Sequence, residues 1–264
     1  MHELANLGFF NILIGYIFLT GIFLFVRGRG IKSERLMIIA TLRMTFQLIL
    51  AGYILEYVFN TNSLLFTLLI IALMEIVAVF NIFRVVDLEL SRTMKQTIGF
   101  SIFAGTIGSL FFFIFFVIGD SPWYNPRYLI PIGGMLMGNS TNGIALGITG
   151  LLKGIDEKRD RIEALLMIGA EPYDAIKDII NGSFSSSILP LLNSMIGAGI
   201  VVLPGMMTGQ ILSGESALIA IKYQIIVYLG IMASVTITTL IFLSIAYKNF
   251  FNKRWQLIDS TKSD

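Results

Sequence analysis

The chain contains no cysteine, a single histidine and few charged residues, and these shortages exclude several classes of function. Without cysteine it can form neither disulfides nor thiolate metal sites. The histidine is His2, so most catalytic constellations cannot be assembled. The chain also lacks the G-x-x-x-x-G-K-[ST] phosphate loop, the H-E-x-x-H zinc motif and the G-x-S-x-G nucleophile motif. We therefore expect no enzyme activity, no cofactor bound by this chain and no nucleic-acid partner.

The chain is rich in apolar residues. Of its 264 residues, 55% are hydrophobic and only 14% are charged, and the mean hydropathy is +0.80. Several apolar runs reach the roughly 20 residues with which a helix crosses about 30 Å of hydrocarbon. The composition predicts an all-α, polytopic protein of the cell membrane, organised as a single transmembrane domain over residues 1–264.

The apolar runs and the basic residues between them predict a topology. We expect seven transmembrane helices at about residues 7–26, 36–58, 63–83, 98–118, 128–151, 188–212 and 217–247. In this arrangement all of the 19 basic residues except Arg127 and Lys222 lie inside or toward the inner end of a span. This is the positive-inside pattern, which places the N-terminus outside and the C-terminus in the cytoplasm.

One long polar segment, residues 153–187, interrupts the apolar chain with KGIDEKRDRIEALLMIGAEPYDAIKDIINGSFSSS. It resembles two short helices joined by a corner. Gly169 is suited to ending the first helix, Pro172 to starting the second, and Asn181-Gly182 to ending it. A charged cytoplasmic loop of this kind is suited to binding a soluble partner that moves it. Alternatively, its apolar stripe rests on the membrane surface or on the helix bundle.

Polar groups at membrane depth are costly, so each one is a candidate for the substrate pathway. Glu75 is the deepest carboxylate, and Pro204 is expected to break or kink the sixth span. An alternative interpretation is that the small polar residues at 137–143 line helix contacts and that the paired methionines only pack. The pathway candidates are Glu75, Asn139, Asn142, Asn193, Met206, Met207 and Gln210.

The polar segment also carries a motif. Glu163-Ala164-Leu165, three further residues, and Gly169-Ala170 resemble the EAA-x-x-x-G coupling motif of ABC transporter permeases. Three longer strings, RIEALLMIGAEPYDAI, LPLLNSMIGAGIVVLPGMMTGQILSG and TLRMTFQLILAGYIL, are similar to the Fet-type iron-export permeases (FetB), a family with plant aluminium-tolerance relatives. The coupling residues are Glu163, Ala164, Leu165, Gly169, Ala170 and Pro172.

The resemblance implies a permease subunit linked to iron export and resistance to oxidative stress. Its motor would be a separate cytosolic ATPase that binds ATP-Mg. Residues 163–170 would dock on that ATPase, and residues 172–180 would brace them. A chain with seven spans and no second half would form a homodimer, so that each of two ATPases has a docking site.

The substrate stays open at this point. Fe(II) favours imidazole and carboxylate ligands, and only Glu56 and Glu75 supply carboxylates near the membrane. A chelated ion, another metal or a nucleotide sugar are alternatives, and the metal ligands are unknown. A different class of function is a membrane scaffold or sensor that transports nothing and recruits a cytosolic partner through its loop.

Overall fold

The computed structural model describes residues 8–29, 34–86, 90–119 and 122–258, so the predicted start of the first span at residue 7 lies just outside it. Within these ranges the chain is helical and forms only isolated β-bridges. A π-helical stretch, Phe113–Ile118, extends α4, and a 3-10 turn, Tyr247–Phe250, extends α9. The helices are α1 (Phe9–Gly28), α2 (Glu34–Thr61), α3 (Leu64–Val85), α4 (Arg92–Phe112), α5 (Pro126–Glu157), α6 (Arg159–Met167), α7 (Pro172–Gly197), α8 (Gly205–Leu212) and α9 (Ala217–Ala246).

Five of the described helices are long and apolar enough to cross a membrane: α1, α2, α3, α4 with its π-helical extension, and α9. Helices α5 and α7 are also long, with 32 and 26 residues, but they carry more polar residues. A helix satisfies its backbone hydrogen bonds internally, as hydrocarbon requires. The all-helical membrane class is confirmed. The count of seven spans and the orientation stay predictions.

Helices α5 and α9 lie at the centre of the bundle, and α3, α4 and α7 pack around them, whereas α1 packs mainly on α2. Glycines let α5 approach α7 closely. A Cβ atom added at Gly147 would lie 2.8 Å from Ser187 Oγ, and one added at Gly154 would lie 2.5 Å from Ile179 Cγ2. The two helices can therefore pack this closely only because glycine has no side chain at these positions.

Helix α7 is longer than predicted. The predicted stop at Asn181-Gly182 is wrong, because α7 continues to Gly197. The reason is tertiary packing: Ser183 and Ser187 are buried, and they lie against the glycines of α5. Contacts of this kind outweigh the weak helix propensity of Asn and Gly.

The sixth span, predicted over 188–212 with a break or kink at Pro204, consists of the end of α7 and the separate helix α8. Residues 198–204 leave the helical conformation, with Gly199 at φ +82° and its amide bonded to the Val202 carbonyl at 2.9 Å. The break expected at Pro204 is confirmed, since this proline stands immediately before α8.

Candidate functional site

The corner between α6 and α7 is closed by a pattern of backbone hydrogen bonds that ends α6. Gly169 adopts φ +88°, a left-handed conformation that glycine tolerates easily. Its amide donates to the Leu166 carbonyl at 3.0 Å, and the Ala170 amide donates to the Leu165 carbonyl at 3.0 Å. These two bonds form a Schellman motif. Pro172 then begins α7, where its missing N–H costs nothing. The predicted helix end and helix start are both confirmed.

Two contacts tie α6 to α7. Ile162 is almost fully buried and belongs to the same apolar cluster as Ile176 of α7. On the surface, Arg161 Nη2 lies 3.3 Å from Asp178 Oδ2. The two helices are therefore joined by a buried apolar cluster and by an exposed ion pair.

The motif residues lie on the open side of α6. Glu163 accepts a hydrogen bond from Arg159 Nε at 3.0 Å on the same helix. Ala164 is exposed and Leu165 is half-buried. Met167, at the end of α6, is 84% exposed. The predicted coupling residues thus occupy one continuous surface, formed by α6 and the corner.

Helix α5, which leads to this surface, is longer than a membrane span requires. Helix α5 has 32 residues, so it is about 48 Å long, against about 30 Å of hydrocarbon. Trp123, Tyr124 and Tyr128 mark its first end as an interface. Its other end carries an exposed ion pair between Lys153 and Glu157, with 3.7 Å between Nζ and Oε1. The two ends of α5 therefore differ, since one is flanked by aromatic residues and the other carries charge.

Glu75 is buried where α3 meets α4. It is 6% exposed, and both carboxyl oxygens lie 3.0 Å from Thr106 Oγ1. That hydroxyl is also 2.7 Å from the Ile102 carbonyl on its own helix. Glu75 borders a cavity of about 210 Å³ whose other lining residues are all apolar. A carboxyl group beside an apolar cavity can either receive a ligand's polar group or serve packing alone.

The polar run in α5 divides between two roles. Ser140 Oγ and Ser234 Oγ of α9 form a buried hydrogen bond at 2.9 Å, so the helix-contact interpretation holds for this serine. Asn139 donates to the Met135 carbonyl on its own helix at 2.8 Å, and Asn142 is exposed. The two asparagines therefore contribute no bond between helices among the described residues.

The candidates on α8 lie apart from Glu75. Met206 is half-buried against an apolar cluster, and Met207 is buried. The Gln210 side-chain oxygen is buried and has no hydrogen-bond partner within the described ranges. No hydrogen bond joins one predicted pathway residue to another in the described part of the chain. That part also contains no group of three His, Cys, Asp or Glu residues that could hold a metal ion.

A polar outer face of α7 was missed by the sequence reasoning, which recognised only Asn193. Asn181, Ser185, Ser186 and Asn193 are all exposed, outside the face that packs on α5, and the apolar Leu189 and Ile196 are exposed among them. The two serines lie about 20 Å along α7 from Pro172 at about 1.5 Å per residue. The run NGSFSSS was the signal, but it was assigned to a cytoplasmic loop instead of a helix.

These features define a multi-pass helical membrane protein of a permease-like class, with a charged corner between α6 and α7. The chain belongs to the UPF0014 family (Uncharacterised protein family), whose model matches residues 9–251.

Three relatives illustrate that family. The chain is 33% identical to the UPF0014 membrane protein slr1647 of Synechocystis, over 82% of this chain and 83% of the relative. It is 30% identical to the probable iron export permease protein FetB of Escherichia coli, over 82% of each chain. It is 31% identical to Protein ALUMINUM SENSITIVE 3 of Arabidopsis thaliana, over 87% of this chain and 82% of the relative. No solved structure matches the chain.

Proposed function

We propose that this chain is the membrane-spanning permease subunit of an ABC transporter, and that it exports iron with ATP-Mg hydrolysed by a separate cytosolic subunit. The observation that carries the proposal is the charged corner of α6 and α7, which the Schellman motif and Pro172 define, and we place this corner on the cytoplasmic side of the membrane. The E. coli relative named as a probable iron export permease supports the class and the substrate. The proposal includes seven spans, an outer N-terminus and a cytoplasmic C-terminus.

The corner supplies the mechanical connection. The ATPase docks on residues 163–170 and moves when it binds and hydrolyses ATP. Through buried Ile162 and the Arg161–Asp178 pair, that motion reaches α7. The close contact of Gly147 with Ser187 then passes it to α5. Packed helices transmit such shifts because their interfaces do not deform continuously.

The outer face of α7 supports a homodimer. Polar side chains within a span face a bundle interior or a water-filled cavity, not lipid. In a single chain Asn193 and Ser186 have neither. Two copies that turn these faces toward each other would enclose a polar pathway. Each copy would then present one corner to one ATPase.

The substrate pathway combines this face with the other candidates. Asn193 lines it directly, and Gln210, Met206 and Met207 follow on α8. Glu75, Asn139 and Asn142 contribute from α3 and α5. Amides, hydroxyls and thioethers with one carboxyl per copy form a sparse set for a bare Fe(II) ion. A chelated ion, another metal or a nucleotide sugar are therefore the alternatives within the same transport function.

The first experiment tests the coupling surface. The purified chain is mixed with the ABC ATPase encoded beside its gene, and ATP hydrolysis is measured. We expect the chain to stimulate hydrolysis, and we expect Glu163→Arg combined with Gly169→Pro to abolish the stimulation. Glu215→Arg is the control, because Glu215 precedes α9 at the end far from the corner. Full stimulation by the double variant would refute the coupling assignment.

A second measurement addresses the cargo. Proteoliposomes containing both subunits are assayed against Fe(II), other divalent metals and nucleotide sugars. Selective, ATP-dependent movement of iron supports iron export, whereas movement of another compound alone reassigns the substrate. ATPase binding without transport of any of these would favour the scaffold.

A further inference from the structure

The last described segment, residues 250–258, forms a tight turn beside the coupling surface. The Asn252 amide donates to the Gln256 carbonyl at 2.9 Å, and the Ile258 amide donates to the Phe250 carbonyl at 2.8 Å. The Asn252 side-chain oxygen accepts hydrogen bonds from the amides of Arg254 and Gln256. So many bonds within nine residues make the turn a defined structure instead of a loose tail.

The turn is anchored in the core that holds α6. Phe250 and Phe251 are buried in the same apolar cluster as Ile162. In addition, the rings of Tyr247 and Tyr173 meet edge to face, with centroids 5.6 Å apart. Helix α6 and the turn therefore pack on the same apolar cluster.

Between the turn and the corner lies an open groove of about 780 Å³. One wall comes from α6 and the corner, with Glu163, Met167 and Glu171, and the other comes from the turn, with Arg254 and Trp255. Large apolar side chains stand on both rims, because Met167 is 84% exposed and Trp255 is 56% exposed. The groove is thus apolar at its edges and acidic on one wall.

Trp255 lies at the surface and has an unfavourable backbone conformation. Its φ is +59°, in the left-handed region that residues with a side chain seldom adopt. In the proposed topology the charged end of α5 lies beyond the hydrocarbon, so lipid would not cover the indole. Exposed aromatic and methionine side chains of this kind are typical of protein contacts.

We propose that the turn at residues 250–258 is the second wall of the ATPase docking site, with Trp255 and Met167 gripping the ATPase from opposite sides. This inference rests on the proposed function, since it names a further part of the surface that the ATPase contacts. The matching ATPase surface is an apolar projection flanked by a basic residue, which faces Glu163 and Glu171.

The test uses the absence of native cysteine. Trp255→Cys, Met167→Cys and Glu215→Cys are made singly in the full chain, and each thiol is labelled with a maleimide before and after the ATPase is added. We expect the ATPase to slow labelling at positions 255 and 167 at least severalfold, and to leave position 215 unchanged. Unchanged labelling at position 255 with protection at position 167 would overturn the proposal and leave the coupling surface standing.

A binding measurement separates the role of the turn from the role of the coupling surface and from the proposed function. Trp255→Ala is expected to raise the Kd for the ATPase about tenfold, which is about 1.4 kcal/mol and among the larger losses on truncating an interface residue, at an unchanged melting temperature. Lys253→Ala is the control on the same turn, because this exposed residue does not line the groove. A Trp255→Ala variant that binds normally, beside a Glu163→Arg, Gly169→Pro variant that does not, would refute the role of the turn alone. If the unaltered chain fails to bind the ATPase, the proposed function itself fails.

Discussion

The two faces of α7 use similar residue types in different surroundings. On the inner face, Ser183 and Ser187 are buried against the glycines of α5. On the outer face, Ser185, Ser186 and Asn193 are exposed. The residue type alone does not distinguish the two roles. The difference lies in the partner helix, because α5 presents glycines to the inner face only.

The outer face of α3 shows what a lipid-facing surface of this protein looks like. Between residues 65 and 80 its exposed large side chains are all apolar, and they include Leu65, Leu69, Leu73, Ile76 and Phe80. Hydrocarbon accepts such a face without cost. The outer face of α7 departs from this pattern, which is why we assign it to a second copy and a shared pathway.

The largest expected effect comes from filling the inner contact. In Gly154→Ala the new Cβ atom would lie 2.5 Å from Ile179 Cγ2, so the helices must separate. Overpacking of this kind costs about 1–3 kcal/mol. We expect a lower melting temperature and less monodisperse protein in detergent.

Gly182→Ala on the opposite face is the matched control. An added Cβ atom there meets nothing within 4 Å, and alanine is favoured over glycine inside a helix by roughly 0.5–1 kcal/mol. We expect the melting temperature to stay equal or rise slightly. If the two substitutions had the same effect, the distinction between the faces would be wrong.

The corner was predictable from the sequence because its signals are local. Gly169 ends α6 and Pro172 begins α7 through backbone geometry that involves a few consecutive residues. Pro204 marked the break before α8 for the same reason. The false stop at Asn181-Gly182 shows the limit, since the contacts that keep α7 helical come from α5, about 30 residues earlier in the chain.

The groove beside the corner was not predictable from local signals. In the sequence, the segment after residue 247 stands out only for its basic residues, although Asn252 is a residue type that favours turns. That the turn returns to α6 depends on the burial of Phe250 and Phe251 in a cluster drawn from several helices. The sequence pattern shows that these residues are apolar, but it does not show which helix they contact.

The second effect in size tests the outer face. Asn193→Leu removes an amide that makes no contact with the inner core, so we expect an unchanged melting temperature. Export from proteoliposomes should fall about tenfold, which corresponds to about 1.4 kcal/mol. Thr20→Leu on the exposed side of α1 is the control and should leave export intact. Full export by Asn193→Leu would remove this residue from the pathway.

The smallest effect is expected at Glu75, where a polar group lies inside the fold but borders a cavity. Glu75→Gln keeps the size of the side chain and an oxygen that can accept from Thr106, so we expect the fold to be retained. Export should still fall severalfold, because a neutral amide attracts a cation less than a carboxylate does. Glu56→Gln, on an exposed part of α2, is the matched control. Unchanged export would place Glu75 with Ser183 and Ser187 among the residues that only pack, whereas reduced export at unchanged stability would show that the inner side of the bundle also contributes to the pathway.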